Sequence, residues 1–187
     1  MLKQEAIKIL AEHKGGAISV ATMQAAAPWH DTGSGKAMHV DASACMGSAS
    51  ALGLGLALGR PDRKVMVLDG DGSLLMQLGS LVTIAALAPR NFYHFVFANG
   101  FYESSGNQPV PGQGVFDFCK LALGAGYASA FSFAAAETFA AEIPKVLAAA
   151  GPVMIKLDIA RDDAKPRWSG SRMAGQVQSL KEQLARL

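Results

Sequence analysis

The stretch VMVLDGDGSLL, residues 65–75, decides the fold. In it an apolar, β-branched run ends in two aspartates interleaved with two glycines, and helix-forming residues begin after Ser73. Glycines between a buried strand and a helix let backbone amides converge on an anion, and the helix N-terminus adds a partial positive charge. Gly72 and Ser73 are therefore predicted to bind a phosphate. Because Asp71 alone would repel it, we expect a divalent cation, Mg²⁺, to bridge the carboxylate and the phosphate oxygens.

Two other phosphate motifs do not fit. The run GLGLALG, residues 53–59, imitates a dinucleotide-binding fingerprint, but it lies inside a predicted helix ahead of a strand, whereas the fingerprint follows a strand and opens a helix. A Walker loop needs Lys and then Ser or Thr after its last glycine, and Gly72 is followed by Ser73 and Leu74. Neither a Rossmann nucleotide site nor a P-loop is predicted.

Strands and helices alternate along the chain. Helices are predicted at residues 2–10, 46–58, 73–88, 116–123 and 135–149, and strands at residues 17–22, 64–69, 93–98, 127–131 and 153–159. Loops are predicted at residues 23–40, ending in a brief extended piece, and at residues 99–114. Strands that are apolar on both faces indicate an α/β fold of three layers, α/β/α, with a mostly parallel central sheet.

The length of 187 residues suits one domain, which we assign to residues 1–160. Residues 161–187 form a charged C-terminal tail, broken by Pro166 and Gly170, with a terminal amphipathic helix that could pack on a neighbouring chain. Half of the residues are apolar and only 17% are charged, below the usual quarter. We therefore expect burial against another subunit, in a dimer or a higher oligomer.

Composition also excludes several classes of protein. The net charge is only +2, and the lysines and arginines are scattered without a dense basic run, which argues against binding of nucleic acid. Cys45 and Cys119 lack disulfide-framework, zinc or iron–sulfur spacing, which fits a reducing cytoplasm. The N-terminus MLKQEAIKIL carries charges throughout rather than an apolar signal core, and no apolar run approaches the roughly 18 residues of a membrane span. A soluble cytoplasmic protein with no membrane association is predicted.

Ligands of parallel sheets bind outside the carboxyl ends of the strands, where residues 69–72 and 99–101 are both predicted to lie. GDGS is followed by the 25 residues from Ser73 to Phe97, then by Ala98, Asn99 and Gly100. This pattern resembles the thiamine diphosphate signature, which is GDG, about 25 residues and a double Asn. The stretches MGSASALGLGLAL, GDGSLLMQLGSL and NGFYESSGNQ are similar to the diphosphate-binding domain of the decarboxylase-like branch, especially sulfopyruvate and phosphonopyruvate decarboxylases.

The resemblance implies a role for each matching residue. Asp71, the side chain of Asn99 and the backbone carbonyl of Phe101 would ligate Mg²⁺. Gly72 and Ser73 would bind the diphosphate, with Gly70 in the same motif. Two further residues would contact the rings of thiamine diphosphate: Met46 would wedge between them, and the carbonyl of Ala44 would accept from the amino group. Ala98 replaces the first Asn of the signature, which is not the metal ligand.

The family also uses a glutamate from a separate pyrimidine-binding domain, for which this chain has no room. The resemblance thus implies a heteromer whose partner subunit supplies that glutamate, acting as a 2-oxo acid decarboxylase on a sulfopyruvate- or phosphonopyruvate-like acid. Two alternatives stay open: the β subunit of a ferredoxin-linked 2-oxo acid oxidoreductase, and a non-catalytic module that binds the cofactor or serves assembly.

Several polar residues have both a functional and an ordinary interpretation. His30, His39 and Glu103 are candidate acids or bases, yet a single histidine or a polar loop residue is more often structural. Thr22 and Gln24 are candidate contacts of the diphosphate. Asp69 is assigned to the turn rather than to the metal. The catalytic residues of this chain therefore stay unassigned, with His30 and Glu103 as candidates.

Overall fold

A computed structural model describes residues 1–161, 167–168 and 173–186. Eight strands are described: β1 Ile18–Ala21, β2 His39–Asp41, β3 Val65–Gly70, β4 Phe92–Ala98, β5 Phe101–Tyr102, β6 Gln108–Pro109, β7 Ser129–Phe133 and β8 Val153–Asp158. Eight α-helices are described: α1 Lys3–Glu12, α2 Ala26–Asp31, α3 Ala49–Gly59, α4 Asp71–Met76, α5 Ser80–Leu87, α6 Phe118–Ala125, α7 Ala136–Ala148 and α8 Met173–Ala185.

The central sheet has six strands in the order β2-β1-β3-β4-β8-β7, and every neighbouring pair is parallel. Side chains of a strand alternate between the two faces of a sheet, and both faces of β3 are buried. Met66 and Leu68 pack with Trp29 in one core, whereas Val65 and Val67 pack in the other. The predicted α/β fold with a parallel central sheet is confirmed.

The loop predicted at residues 23–40 is partly helical. It contains α2 and two 3₁₀ turns, Met23–Ala25 and Ser34–Lys36. The cause is burial: Trp29 is fully buried, and its Nε1 donates to Ser19 Oγ at 3.1 Å. The turn-forming residues at the end of the segment led to the prediction of a loop.

The helix predicted at residues 73–88 is two helices. The segment breaks after α4, where Gln77 leaves the helical region at φ −135° and ψ 40°, and α5 begins at Ser80. Neither helix is buried on all sides, since Met76 in α4 and Val82 in α5 are 56% and 62% exposed. The helix predicted from residue 46 begins only at Ala49, because Gly47 adopts φ +88°.

Helix α8 packs on its own chain, whereas the sequence suggested that it could pack on a neighbouring chain. Leu180 is buried against the core that contains Val40. Gln183 Oε1 accepts from Met38 N at 2.6 Å, and Gln176 Oε1 accepts from Asp41 N. Helix α8 therefore covers β2, one of the two edge strands of the sheet. Among the described residues, no helix combines the length and the apolar character needed to cross a membrane.

Candidate functional site

A cavity lies at the carboxyl ends of β3 and β4, which are adjacent and parallel, with Gly70 opposite Phe97. This register brings the residues that follow the two strands to one edge of the sheet. Eight of the predicted site residues line the cavity: Met46, Gly70, Asp71, Gly72, Ser73, Asn99, Phe101 and Glu103. Thr22 and Gln24, the candidates from the segment after β1, line it as well.

Asp71 is the first residue of α4 and is almost fully buried. Its Oδ1 accepts from Gly72 N and its Oδ2 accepts from Gly100 N, both at 2.7 Å. Burial raises the pKa of this carboxyl, although the backbone hydrogen bonds partly oppose the change. The charge of Glu103 raises the pKa further. A divalent cation beside the carboxylate would favour its ionised form.

Asn99 and Gly100 form the turn that leaves β4. Asn99 Oδ1 accepts from Phe101 N at 2.8 Å, and an amide oxygen has a second lone pair for another partner. Gly100 has φ +80°, and a Cβ there would lie 2.0 Å from Gln113 Nε2. This turn therefore requires glycine, and it holds the Gly100 amide against Asp71.

Ser73 joins the two halves of the predicted cofactor site. Its hydroxyl oxygen accepts from Gly47 N at 3.1 Å, and Gly47 follows Met46 directly. The hydroxyl proton of Ser73 can still donate to an anion in the cavity. The segment that carries Met46 is thereby fixed relative to the segment that carries Asp71.

Three predicted or candidate residues lie elsewhere in the described structure. Ala44 is exposed, in the turn between β2 and α3, and does not line the cavity. His30 and His39 do not line it either: their ring centroids lie 5.2 Å apart beneath α8. Burial lowers the pKa of His39 to about 3, with a smaller contribution from the charge of His30. The structure does not bring His30 to the residues that surround Asp71.

Asp69 belongs to the strand rather than to the turn, which corrects our expectation. It is the fifth residue of β3 and is fully buried. Its Oδ2 lies 3.3 Å from His94 Nε2, and His94 Nδ1 lies 3.4 Å from the hydroxyl of Tyr127. Burial raises the pKa of Tyr127, and the charge of Asp69 raises it further. These three residues, the Asp69–His94–Tyr127 chain, form a buried polar network that reaches the cavity at Asp69.

Removing one member of this network tests its contribution to stability. We expect Tyr127→Phe to lower the free energy of unfolding by about 1 kcal/mol, because one buried hydrogen bond is lost. For a chain of this length that is a fall in Tm of about 2–4 °C, measured by thermal unfolding. Binding of Mg²⁺ and cofactor should stay unchanged, since Tyr127 does not line the cavity. An unchanged Tm would show that the contact contributes nothing.

Among the cavity residues that are missing from the sequence-based site, Lys3 and Tyr102 make the most distinctive contacts. Lys3 lies on the buried face of α1 with Ala6, Ile7 and Leu10, so a charge at an apolar position of the helix was the available signal. Tyr102 packs on Gly72, where a Cβ would lie 2.5 Å from the ring. No sequence pattern indicates that contact, because it joins α4 to β5, which are distant in the chain.

The residues present fit a magnesium diphosphate. The described residues form no cluster of three or more His, Cys, Asp or Glu able to hold a metal ion. The cavity instead offers one buried carboxylate, an amide oxygen and backbone groups, which suits Mg²⁺ because this ion takes few protein carboxylates and several phosphate oxygens. Gly72 lacks a side chain, which leaves room for the Tyr102 ring at the start of α4.

The fold and the cavity define a class of protein: a three-layer α/β domain that binds its ligand at the carboxyl ends of adjacent parallel strands. Residues 17–157 match the family model described as thiamine pyrophosphate enzyme, C-terminal TPP binding domain, where thiamine pyrophosphate is another name for thiamine diphosphate. The chain belongs to this family.

The curated relatives are named decarboxylases. Phosphonopyruvate decarboxylase of Streptomyces hygroscopicus is 42% identical over 114 residues, which cover 61% of this chain and 28% of that protein. Sulfopyruvate decarboxylase subunit beta of Methanocaldococcus jannaschii is 56% identical over 63 residues, which cover 34% of this chain and 33% of that protein. The matched region thus spans about a third or less of these relatives.

A solved structure shares the fold. The thiamine diphosphate-dependent 4-hydroxybenzoylformate decarboxylase of Rhodococcus jostii superposes with a TM-score of 0.71 at 23% identity. The superposition covers 88% of this chain and 33% of that one. At this identity the likeness concerns the fold alone.

Proposed function

We propose that this chain is the part of a 2-oxo acid decarboxylase that binds thiamine diphosphate and Mg²⁺, with a sulfopyruvate- or phosphonopyruvate-like acid as substrate. The observation that carries the proposal is the meeting of Asp71 and Asn99 in one cavity, in a chain of this family. The names of the relatives support the choice of substrate. A cytoplasmic location stays a prediction.

Each cavity residue has a task in this proposal. Asp71, Asn99 Oδ1 and the carbonyl of Phe101 would hold Mg²⁺, while the Ser73 hydroxyl would bind the diphosphate. The Gly72 amide donates to Asp71 Oδ1 here, so it would have to share its proton with a diphosphate oxygen. Met46, which lines the cavity, would support the bend between the two rings. The contact predicted for the carbonyl of Ala44 is left out of the proposal, because Ala44 does not line the cavity. The cofactor, when bound, supplies the nucleophilic carbon and the electron sink for decarboxylation. The chain itself orients the diphosphate and excludes water beneath it.

A partner subunit completes the proposed site. The activating glutamate would come from a pyrimidine-binding domain on another chain, and a relative named subunit beta supports such an arrangement. Large apolar side chains on α4, α5 and α6 are about half exposed or more, which offers surface for a partner: Met76, Val82, Leu87 and Leu123.

The test is a decarboxylation assay of this chain together with a candidate pyrimidine-binding subunit. We expect carbon dioxide to be released from sulfopyruvate or phosphonopyruvate only when thiamine diphosphate and Mg²⁺ are both present, and chelation by EDTA to stop the reaction. Coenzyme A-dependent reduction of ferredoxin would instead indicate a 2-oxo acid oxidoreductase. Cofactor binding measured by calorimetry, without turnover with any partner, would indicate a non-catalytic module.

A further inference from the structure

Lys3 is a charged residue in a place that normally excludes charge. It is the first residue of α1 and shares the buried face of that helix with Ala6 and Leu10. Only 7% of the residue is exposed, and its side chain lines the cavity that contains Asp71. Burying an ammonium group costs free energy unless it is paired, so its position requires a reason.

The ion pair of Lys3 with Glu103 leaves part of the carboxylate without a partner. Lys3 Nζ lies 3.5 Å from Glu103 Oε2, longer than an ordinary charge-assisted hydrogen bond. The other oxygen, Oε1, is buried and has no hydrogen-bond partner among the residues that the structure describes. A buried carboxylate with an unsatisfied oxygen is unfavourable. This pairing therefore does not by itself account for the buried position of the Glu103 carboxylate.

The overall charge of the cavity gives a reason for a lysine at this position. Asp71 and Glu103 both contribute negative charge, and a diphosphate adds more than one Mg²⁺ neutralises. Among the described residues that line the cavity, Lys3 is the one with a permanent positive charge. Its ammonium has three donors and a flexible stem, so it can reach an anion beside the Asp71 loop.

We propose that Lys3 binds the diphosphate of the cofactor directly and that Glu103 competes with the diphosphate for its ammonium group. The proposal rests on the proposed function, because that function supplies the diphosphate. It predicts effects of opposite sign for the two partners of one ion pair. Losing Lys3 should weaken cofactor binding, whereas neutralising Glu103 should strengthen it by freeing Lys3 and removing a repulsive charge.

The experiment measures the Kd of thiamine diphosphate for the full-length chain in saturating Mg²⁺, by calorimetry, with thiamine monophosphate as the comparison ligand. We expect Lys3→Met to weaken diphosphate binding by about 10- to 100-fold, the range for a hydrogen bond to a charged group. Glu103→Gln should tighten it by up to about 10-fold. Lys8→Met is the matched control, since Lys8 is exposed on the same helix, and it should bind as the wild type does.

The outcomes separate this proposal from the proposed function. Wild-type affinity in Lys3→Met, or weaker binding in both variants, overturns the role of Lys3 while cofactor binding by the wild type stands. No binding of thiamine diphosphate by the wild type overturns both. If Lys3→Met does not fold, as thermal unfolding would reveal, Glu103→Gln still decides, because it keeps Lys3 and must bind more tightly.

Discussion

Replacing Asp71 with alanine is expected to abolish decarboxylation and to weaken the binding of Mg²⁺ and thiamine diphosphate by more than about 100-fold. Loss of a residue that only orients a metal ligand costs up to about 100-fold in metal affinity, and Asp71 is proposed as the ligand itself. The carboxylate also accepts from the amides of Gly72 and Gly100. Its removal therefore breaks the hydrogen bonds that join the start of α4 to the turn after β4. The measurements are cofactor titration by calorimetry and carbon dioxide release.

Asp71→Asn should fail almost as completely. Both carboxylate oxygens accept backbone hydrogen bonds, so the amino group of an asparagine would face an N–H donor on one side. Asp62→Ala is the control, because Asp62 is an exposed aspartate before the start of β3, at the opposite end of the strand. Full activity of Asp71→Ala would sink the assignment of the site.

The pH dependence of metal binding should report the same carboxyl group. Mg²⁺ requires an ionised carboxylate, and burial raises the pKa of Asp71 above its ordinary value of 3.8. As the pH falls, protonation of Asp71 therefore weakens Mg²⁺ binding, with a midpoint above 3.8. Calorimetric titrations at several pH values measure this directly.

Gly53→Ala is expected to be the most destabilising of the glycine substitutions in α3. A Cβ at Gly53 would lie 2.2 Å from Val67 Cγ2 and 3.1 Å from Phe92 Cε2, in the core between α3 and the sheet. Overpacking of this kind costs about 1–3 kcal/mol. At about 2–4 °C for each kcal/mol, the Tm should fall by several degrees, measured by thermal unfolding.

Gly55→Ala is the matched control, two residues further along the same helix. A Cβ there meets no atom within 4 Å among the residues described, so the better helix propensity of alanine should leave stability equal or up to about 1 kcal/mol higher. Adding Val67→Ala to Gly53→Ala should recover part of the loss, because the two side chains would share one space. Equal stabilities of the two single variants would contradict the packing described for α3.

The sheet could be predicted because β3, β4 and β8 are mostly buried and therefore appear as runs in which most residues are apolar. The division of residues 73–88 into α4 and α5 could not, because it depends on how the chain turns over the sheet after Asp71. Helix α2 could not be predicted for a similar reason. Its conformation depends on the burial of Trp29 in the core, whereas the neighbouring turn residues indicate a loop.

The candidate site divides in the same way. Asp71 and Asn99 were predictable because a short motif and a fixed spacing carry them to adjacent strand ends. The Asp69–His94–Tyr127 chain was not, because it forms between neighbouring strands: His94 lies opposite Val67, two positions from the partner of Asp69 in the register. A specific role for Glu103 could be proposed only from the structure, which pairs it with Lys3, a hundred residues earlier in the chain.

The two glutamines of α8 have a consequence for assembly. An edge strand with unpaired amides invites another strand to extend the sheet, either from a copy of the same chain or from a partner. Here Gln176 and Gln183, two helical turns apart, already accept from the amides of Asp41 and Met38. An incoming strand at β2 would have to displace the whole helix first. At this edge of the sheet the chain is closed to β-augmentation and strand exchange.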